Sequence, residues 1–292
     1  MLNQSFFRYL EFEKRFSKHT IVAYQNDLEQ FALYIQTQFE LDELDHLSHT
    51  FIRSWIVSMM DAGMKSKSIN RKISSLKTYY KFLQREGLIS QSPMQKIISP
   101  KTPKRLPQFV EQSQMENLLD EVDFEDSFEG YRDRLIIEVF YATGIRVSEL
   151  VGLKSENVDT SRMFIKVLGK RNKERIIPIS TELAITIEDY IRSKEELFGV
   201  TDYFFVRENG EAMYTKKVYR MVNSELTKVT SIQKKSPHVL RHTFATHMLN
   251  NGAELNAIKE ILGHSSLAAT QVYTHNSIEK LKSIYKQAHP KG

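Results

Sequence analysis

Apolar residues in the first hundred positions recur at helical spacing. Tyr24, Leu28, Phe31 and Ile35 follow one another at four, three and four residues, the mark of one buried helix face. Ile69, Ile73, Leu76, Tyr80 and Leu83 repeat the pattern over 67–85, with Ser66 or Ser68 as the expected cap. A third helix is predicted from Thr50 to Asp61, stopping at Gly63. The outward face of the 67–85 helix carries Lys67, Arg71, Lys77 and Lys81, and no acidic residue of that helix interrupts it before Glu86. Such a face suits a row of phosphates, although a solvated helix face has the same look.

The pattern breaks at 97–109, IISPKTPKRLPQF, where three prolines and the basic residues Lys101, Lys104 and Arg105 leave no apolar period. Proline blocks helix and favours an extended connector, so the domain boundary is placed here. Beyond it the pattern is mixed. Helices are predicted at 114–122, 131–143, 182–197, 214–229, 238–251, 254–262, 266–272 and 278–288. Met163–Leu168 and Arg175–Ile179 alternate as strands on either side of Gly169, Lys170, Arg171 and Asn172. The expected fold is mainly α with a small antiparallel β-sheet, in two domains: helical over 1–96 and α+β over 110–292.

Composition adds little to this picture. Hydrophobic residues make up 41% and charged residues 26%, with a net charge of +5. That excess favours an anionic partner without requiring one. There is no cysteine, which removes disulfides, thiolate nucleophiles and Cys-bound zinc together. The N-terminal MLNQSFFRYLEFEKRF does not read as a signal peptide, and no run of about 18 apolar residues is present to span a membrane, so a cytoplasmic protein is expected.

Four motifs carry candidate chemistry. In Thr143-Gly144-Ile145-Arg146-Val147-Ser148-Glu149, the glycine ends one helix and Arg146 opens the next, where helix amides favour anions; Glu149 offers Arg146 an ion-pair partner. In Ser236-Pro237-His238-Val239-Leu240-Arg241-His242, a spacing of three sets His238 and Arg241 on one side of a helix start, where both can donate to one phosphate. His238, His242 and His247 also invite a metal reading, but neither HExxH nor cysteine supports it, and no metal is expected. The third motif, Gly263-His264-Ser265, follows a helix stop, and the fourth is Val272-Tyr273-Thr274. Alone, neither His264 nor Tyr273 would be distinguished from a structural residue.

Together, YATGIRVSELVGL, LGKRNKERIIPI and SPHVLRHTFATHMLNNGAELNAIKEILGHSSLAATQVYTH resemble the tyrosine recombinases, and among them the Xer recombinases of bacteria. The resemblance spans nearly the whole chain. It implies a core-binding SAM-like domain at 1–96, a linker at 97–109 and a catalytic domain at 110–292. It assigns Arg146 and Arg241 to the scissile phosphate, Lys170 to the leaving group, and His238 and His264 to the remaining donors. Tyr273 becomes the nucleophile and Glu149 a supporting residue. Lys67, Arg71, Lys77, Lys81, Lys101, Lys104 and Arg105 are candidate DNA contacts.

The resemblance further implies a 3′-phosphotyrosyl intermediate, with no cofactor, metal or ATP, and resolution of chromosome dimers at a dif-like site during chromosome partition and cell division. The implied partners are double-stranded DNA, three more protomers in a homo- or heterotetramer, a second Xer recombinase and the translocase FtsK. The terminal segment 277–289, with Ile278, Leu281, Ile284 and Tyr285 on one face, is implied to be donated to a neighbouring protomer; the residues alone also allow packing on its own domain. Two other classes compete: a DNA-binding protein without catalysis, which would not need the full set, and a type IB topoisomerase-like enzyme, which would not need the exchange helix. The compact length favours the Xer role over integration of a mobile element, while the target sequence and the division of labour between two recombinases stay open.

Overall fold

The computed structural model describes residues 4–103, 108–169, 174–263 and 275–291, with side chains omitted for 275–280. The chain forms two compact units, Met1–Arg105 and Leu106–Gly292. Mostly helix with one small sheet, it has the architecture that the pattern predicts.

The first unit contains α1 (Gln4–Arg8, running into a π turn), α2 (Lys18–Phe39), α3 (His49–Asp61) and α4 (Ser66–Arg85). Leu28, Phe31 and Ile35 of α2, Ile52, Trp55 and Met59 of α3, and Ile69, Ile73, Leu76, Tyr80 and Leu83 of α4 form its core. Neither serine caps α4. The N-cap is Lys65, whose carbonyl accepts from Ser68 and Ile69. The reason lies upstream: Gly63, at φ +74°, and Met64 both bond back to the end of α3, so only one extended residue is left between the helices.

The outward face of α4 exposes Lys67, Arg71, Lys77 and Lys81, but Arg71 is paired with the buried Asp27 of α2. Asp27 also accepts from Lys72 at 3.0 Å and from Ser75 at 2.8 Å. Part of the basic face is therefore tied down by an acid from another helix. After α4 the chain is anchored rather than free: Ile97 is buried, and Asn70 donates its amide to Pro100 O at 2.9 Å.

In the second unit α5 (Gln112–Glu116, running into a π turn at Asn117–Glu121), α6 (Phe128–Thr143) and α7 (Val147–Val151) lead into the sheet. Residues 135–137 and 139–143 of α6 are buried, so it forms the centre of this unit. The sheet is antiparallel in the order β1 (Val158–Asp159), β2 (Phe164–Leu168) and β3 (Glu174–Pro178). Its register pairs Ile165 with Ile177 and Leu168 with Glu174. The alternation places Ile165 and Val167 inward on β2, and Arg175 and Ile177 inward on β3.

The remaining helices are α8 (Thr181–Phe198), α9 (Thr215–Val229), α10 (Pro237–Asn250), α11 (Leu255–Leu262) and α12 (His275–Ala288). The helix predicted at 266–272 lies outside the described residues. In this single chain α12 covers its apolar face with its own unit: Leu281, Tyr285 and Ala288 join the core that contains α6 and α10. His289 completes the docking. Its Nδ1 accepts from Lys291 N–H at 3.0 Å, which leaves Nε2–H to donate to Tyr141 O at 3.1 Å.

Candidate active site

The site grows from the junction of α6 and α7. Gly144 closes α6 at φ +58°, and a Cβ there would sit 2.5 Å from Leu262 Cδ2 and 2.7 Å from Phe244 Cδ1. Only glycine lets the chain turn this tightly against α10 and α11. Arg146 follows two residues later as the N-cap of α7, in extended conformation. Its own N–H donates to Glu149 Oε2 at 2.8 Å and its Nη1 to Glu149 Oε1 at 2.7 Å. Glu149 thus fills the N3 half of a capping box, accepting from the N-cap N–H, while Arg146 makes no side-chain cap bond in return.

Arg241 comes from the first turns of α10. Ser236 is the N-cap, Pro237 pre-sets the first helical residue, and His238 and Arg241 then lie one turn apart. Arg241 is buried. Its Nη1 donates to Gly144 O and its Nη2 to Leu262 O at 2.6 Å. His238 is exposed beside Tyr219 of α9, with ring centroids 6.3 Å apart. Partial desolvation, then the charges of His242, Arg241 and Arg146, lower its pKa and favour the uncharged imidazole.

A third arginine belongs to this cluster and was not among the expected site residues. Arg175 of β3 forms a two-pronged pair with Glu149 at 2.8 and 2.9 Å and donates Nε to Ile261 O at 2.7 Å. Its one signal in the sequence is phase: it occupies an inward position of an alternating strand, where an apolar residue belongs. The three arginines end on three successive carbonyls at the end of α11 and its C-cap: Arg175 on Ile261, Arg241 on Leu262, and Arg146 on Gly263 at 3.1 Å. These are the groups that carry the negative end of a helix dipole.

The charges do not balance. Among the described residues the three guanidiniums have one carboxylate beside them, Glu149, which bonds Arg146 and Arg175 but not Arg241, and the effects on both sides are marked. Burial pushes the Glu149 carboxyl up, but the Arg175 pair and the Arg146 bonds outweigh it and hold the group at about 2. Burial and then the neighbouring Arg146 and Arg175 push Arg241 down to about 9, with Glu149 opposing. Arg241 is still cationic at neutral pH. Together, these groups form a preorganised cluster with excess positive charge, suited to an anion.

Lys170, His264 and Tyr273 lie outside the described residues, as do Lys104 and Arg105; Lys101 is exposed. The histidines that suggested metal binding diverge. His238 and His242 are exposed, whereas His247 is buried with Nδ1 2.9 Å from Tyr141 Oη. Among the described residues no three acidic or histidine side chains gather into a metal-ligand group, and no helix is long and apolar enough to cross a membrane.

Comparison with known proteins agrees over both units. Residues 108–280 match the phage integrase family, and residues 4–87 match the SAM-like N-terminal domain found in phage integrases. The chain is 37% identical to tyrosine recombinase XerC of Listeria innocua, over all of this chain and 98% of that protein. It is 35% identical to tyrosine recombinase XerD of Staphylococcus haemolyticus, over 99% and 98%. The fold matches that of the XerH site-specific recombinase bound to palindromic difH substrate after cleavage, with a TM-score of 0.69, 19% identity and coverage of 96% and 92%. It also matches the Tn1549 transposon integrase in complex with circular intermediate DNA, with a TM-score of 0.68, 21% identity and coverage of 94% and 97%.

Proposed function

Because the chain belongs to the phage integrase family of tyrosine recombinases, we propose that its arginine cluster holds the scissile phosphate of a DNA site, and that the recombination it carries out resolves chromosome dimers at a dif-like sequence. One observation carries this reading: Arg146, Arg175 and Arg241 converge on the end of α11 with, among the described residues, a single carboxylate beside them. A phosphodiester supplies the missing negative charge, and a phosphorane-like transition state supplies more.

Arg146 and Arg241 present planar forks to the non-bridging oxygens, and guanidinium stays charged throughout. Tyr273 attacks phosphorus as the P–O5′ bond breaks, forming a 3′-phosphotyrosyl link. Its hydroxyl, with an ordinary pKa of about 10, must lose its proton as it attacks. His238, biased toward its uncharged form and at the edge of the cluster, is suited to accept or relay that proton, and His264 is assigned the remaining donor role. Lys170 gives a proton to the departing 5′ oxygen. Attack by a 5′-hydroxyl of the partner strand reverses the step, so the bond energy is conserved without ATP, metal or cofactor.

In this reading 1–96 and 110–292 contact the duplex, joined by the linker 97–109. Lys67, Arg71, Lys77, Lys81, Lys101, Lys104 and Arg105 neutralise phosphates, with Arg71 partly committed to Asp27. The enzyme acts in the cytoplasm as a homo- or heterotetramer on two duplexes, with a second Xer recombinase and FtsK as candidate partners. Segment 277–289, docked in cis in the single chain, is exchanged between protomers on assembly.

The test is a nicked suicide substrate carrying candidate dif-like sites, incubated without metal and resolved on a denaturing gel. The expected product is a protease-sensitive DNA adduct that Tyr273→Phe abolishes while binding persists. An adduct that survives Tyr273→Phe refutes the nucleophile assignment.

A further inference from the structure

Glu149 is shared by two arginines of very different exposure. Each of its oxygens accepts one bond from each: Oε1 from Arg146 Nη1 at 2.7 Å and Arg175 Nη1 at 2.8 Å, Oε2 from Arg146 N at 2.8 Å and Arg175 Nη2 at 2.9 Å. The Arg146 side chain is 31% exposed and that of Arg175 only 4%. Arg175 also donates its Nε–H to Ile261 O, and at 4% exposure it has almost no surface with which to touch a phosphate. Arg146 keeps part of its guanidinium open, with Nη2 steadied by Gly263 O.

We infer that Arg175 is a positioning residue for strand cleavage: by saturating the outer lone pairs of Glu149, it keeps that carboxylate from closing a two-pronged pair on the Arg146 side chain, whose fork is thereby left aimed at the scissile phosphate. The inference rests on the reading of this cluster as a phosphodiester site. A carboxylate offered a lone arginine takes it side-on through two nitrogens. With Arg175 holding Glu149 through both oxygens, and with the Arg146 backbone N–H on Oε2, the Arg146 guanidinium is limited to one bond on Oε1. Arg175 is also wedged against the backbone that orients the others. A Cβ on Gly263 would sit 3.0 Å from Arg175 Cδ, and β3 ties this contact to the sheet. Its position thus sets both the acid that Arg146 leans on and the carbonyl to which Arg146 is bonded.

The experiment is single-turnover cleavage of the suicide substrate by wild type, Arg175→Lys, Arg175→Gln and the paired Glu149→Gln/Arg175→Gln. Each is run on an ordinary scissile phosphodiester and on a methylphosphonate at the same position. The methylphosphonate lacks the anionic oxygen, so chemistry there asks less of Arg146. Arg175→Lys and Arg175→Gln are expected to slow phosphodiester cleavage roughly tenfold to a hundredfold, the scale of a lost hydrogen bond to a charged group. On the methylphosphonate the loss should shrink to within about threefold, since little anionic charge is left for Arg146 to neutralise.

A purely structural role slows both substrates alike, and that result overturns the inference, as does phosphodiester cleavage at the wild-type rate. Thermal unfolding and site binding are read in parallel. If Arg175→Gln does not fold, Arg175→Lys carries the same comparison; the paired variant, which leaves no carboxylate to close on Arg146, is expected to recover most of the phosphodiester rate that Arg175→Gln loses, and no recovery overturns the inference. A wild-type protein that forms no adduct on the phosphodiester overturns both this inference and the reading of the site. Adduct formation by wild type together with equal losses on the two substrates overturns the inference alone.

Discussion

Glu149→Gln is the sharpest perturbation of the arginine cluster, because it keeps the shape of the side chain and removes the carboxylate that, among the described residues, pairs with Arg146 and Arg175. A carboxyl held at about 2 instead of the ordinary 4.5, at about 1.4 kcal/mol per pH unit, stabilises the fold by about 3 kcal/mol at neutral pH. The sign follows from the depressed value: this stabilisation is complete above about pH 4.5 and is lost as pH falls through about 2. The glutamine also turns an amide N–H₂ toward Arg146 or Arg175, donor against donor. The expected loss at pH 7 is therefore about 3 kcal/mol or somewhat more, in the range for breaking a buried ion pair. Urea unfolding of both proteins, followed by a probe in the catalytic unit, should give that gap at pH 7 and about half of it at pH 3. A gap that stays constant between the two pH values, or one below about 1 kcal/mol at pH 7, would refute the claim that the carboxylate is held ionised by its partners.

Gly263→Ala is expected to cost about 1–2 kcal/mol from its φ of +64° alone, and to slow cleavage further, because its Cβ crowds Arg175; thermal unfolding and single-turnover cleavage check the two parts separately. His289 offers a second pH dependence. Burial drives this imidazole down to about 4, so its contribution is complete above about pH 6.5 and is lost as pH falls through about 4. Amide protection over 281–289, taken relative to the intrinsic exchange rate at each pH, should fall as pH drops across that interval in wild type and stay level in His289→Gln; matching pH profiles would show that His289 does not govern the docking of α12.

Local signals were legible in the sequence and long-range ones were not. Gly144 after a periodic apolar run, followed by Arg146 and Glu149, reads directly as a helix stop and a charged start, and the structure has both. The strands β2 and β3 follow their alternation. β1 has two residues, too few to show any period. Arg175 is hard to read locally because its partners, Glu149 and Ile261, lie 26 and 86 residues away in the chain. Asp27 is hidden for the same reason: α4 alone shows an uninterrupted basic face, and only packing brings an acid from α2 beneath Arg71. The expected cap of α4 went to Lys65 because the closure of α3 decides where the next helix can begin. The proposed catalytic set rests on the order of its motifs, not on any physical property of His264 or Tyr273 taken singly.

The arginines are seated on main-chain oxygens, which no side-chain replacement can remove, and this shapes how the locus tolerates genetic change. Codon changes at Ile261 or Leu262 alter packing but leave the acceptors where they are. Adding or deleting one residue in α11 would instead rotate the helix by about 100° and advance it by about 1.5 Å, misaligning three seats in one event. The residue count of this eight-residue helix, more than the identity of its residues, is the heritable element that keeps the three cations together.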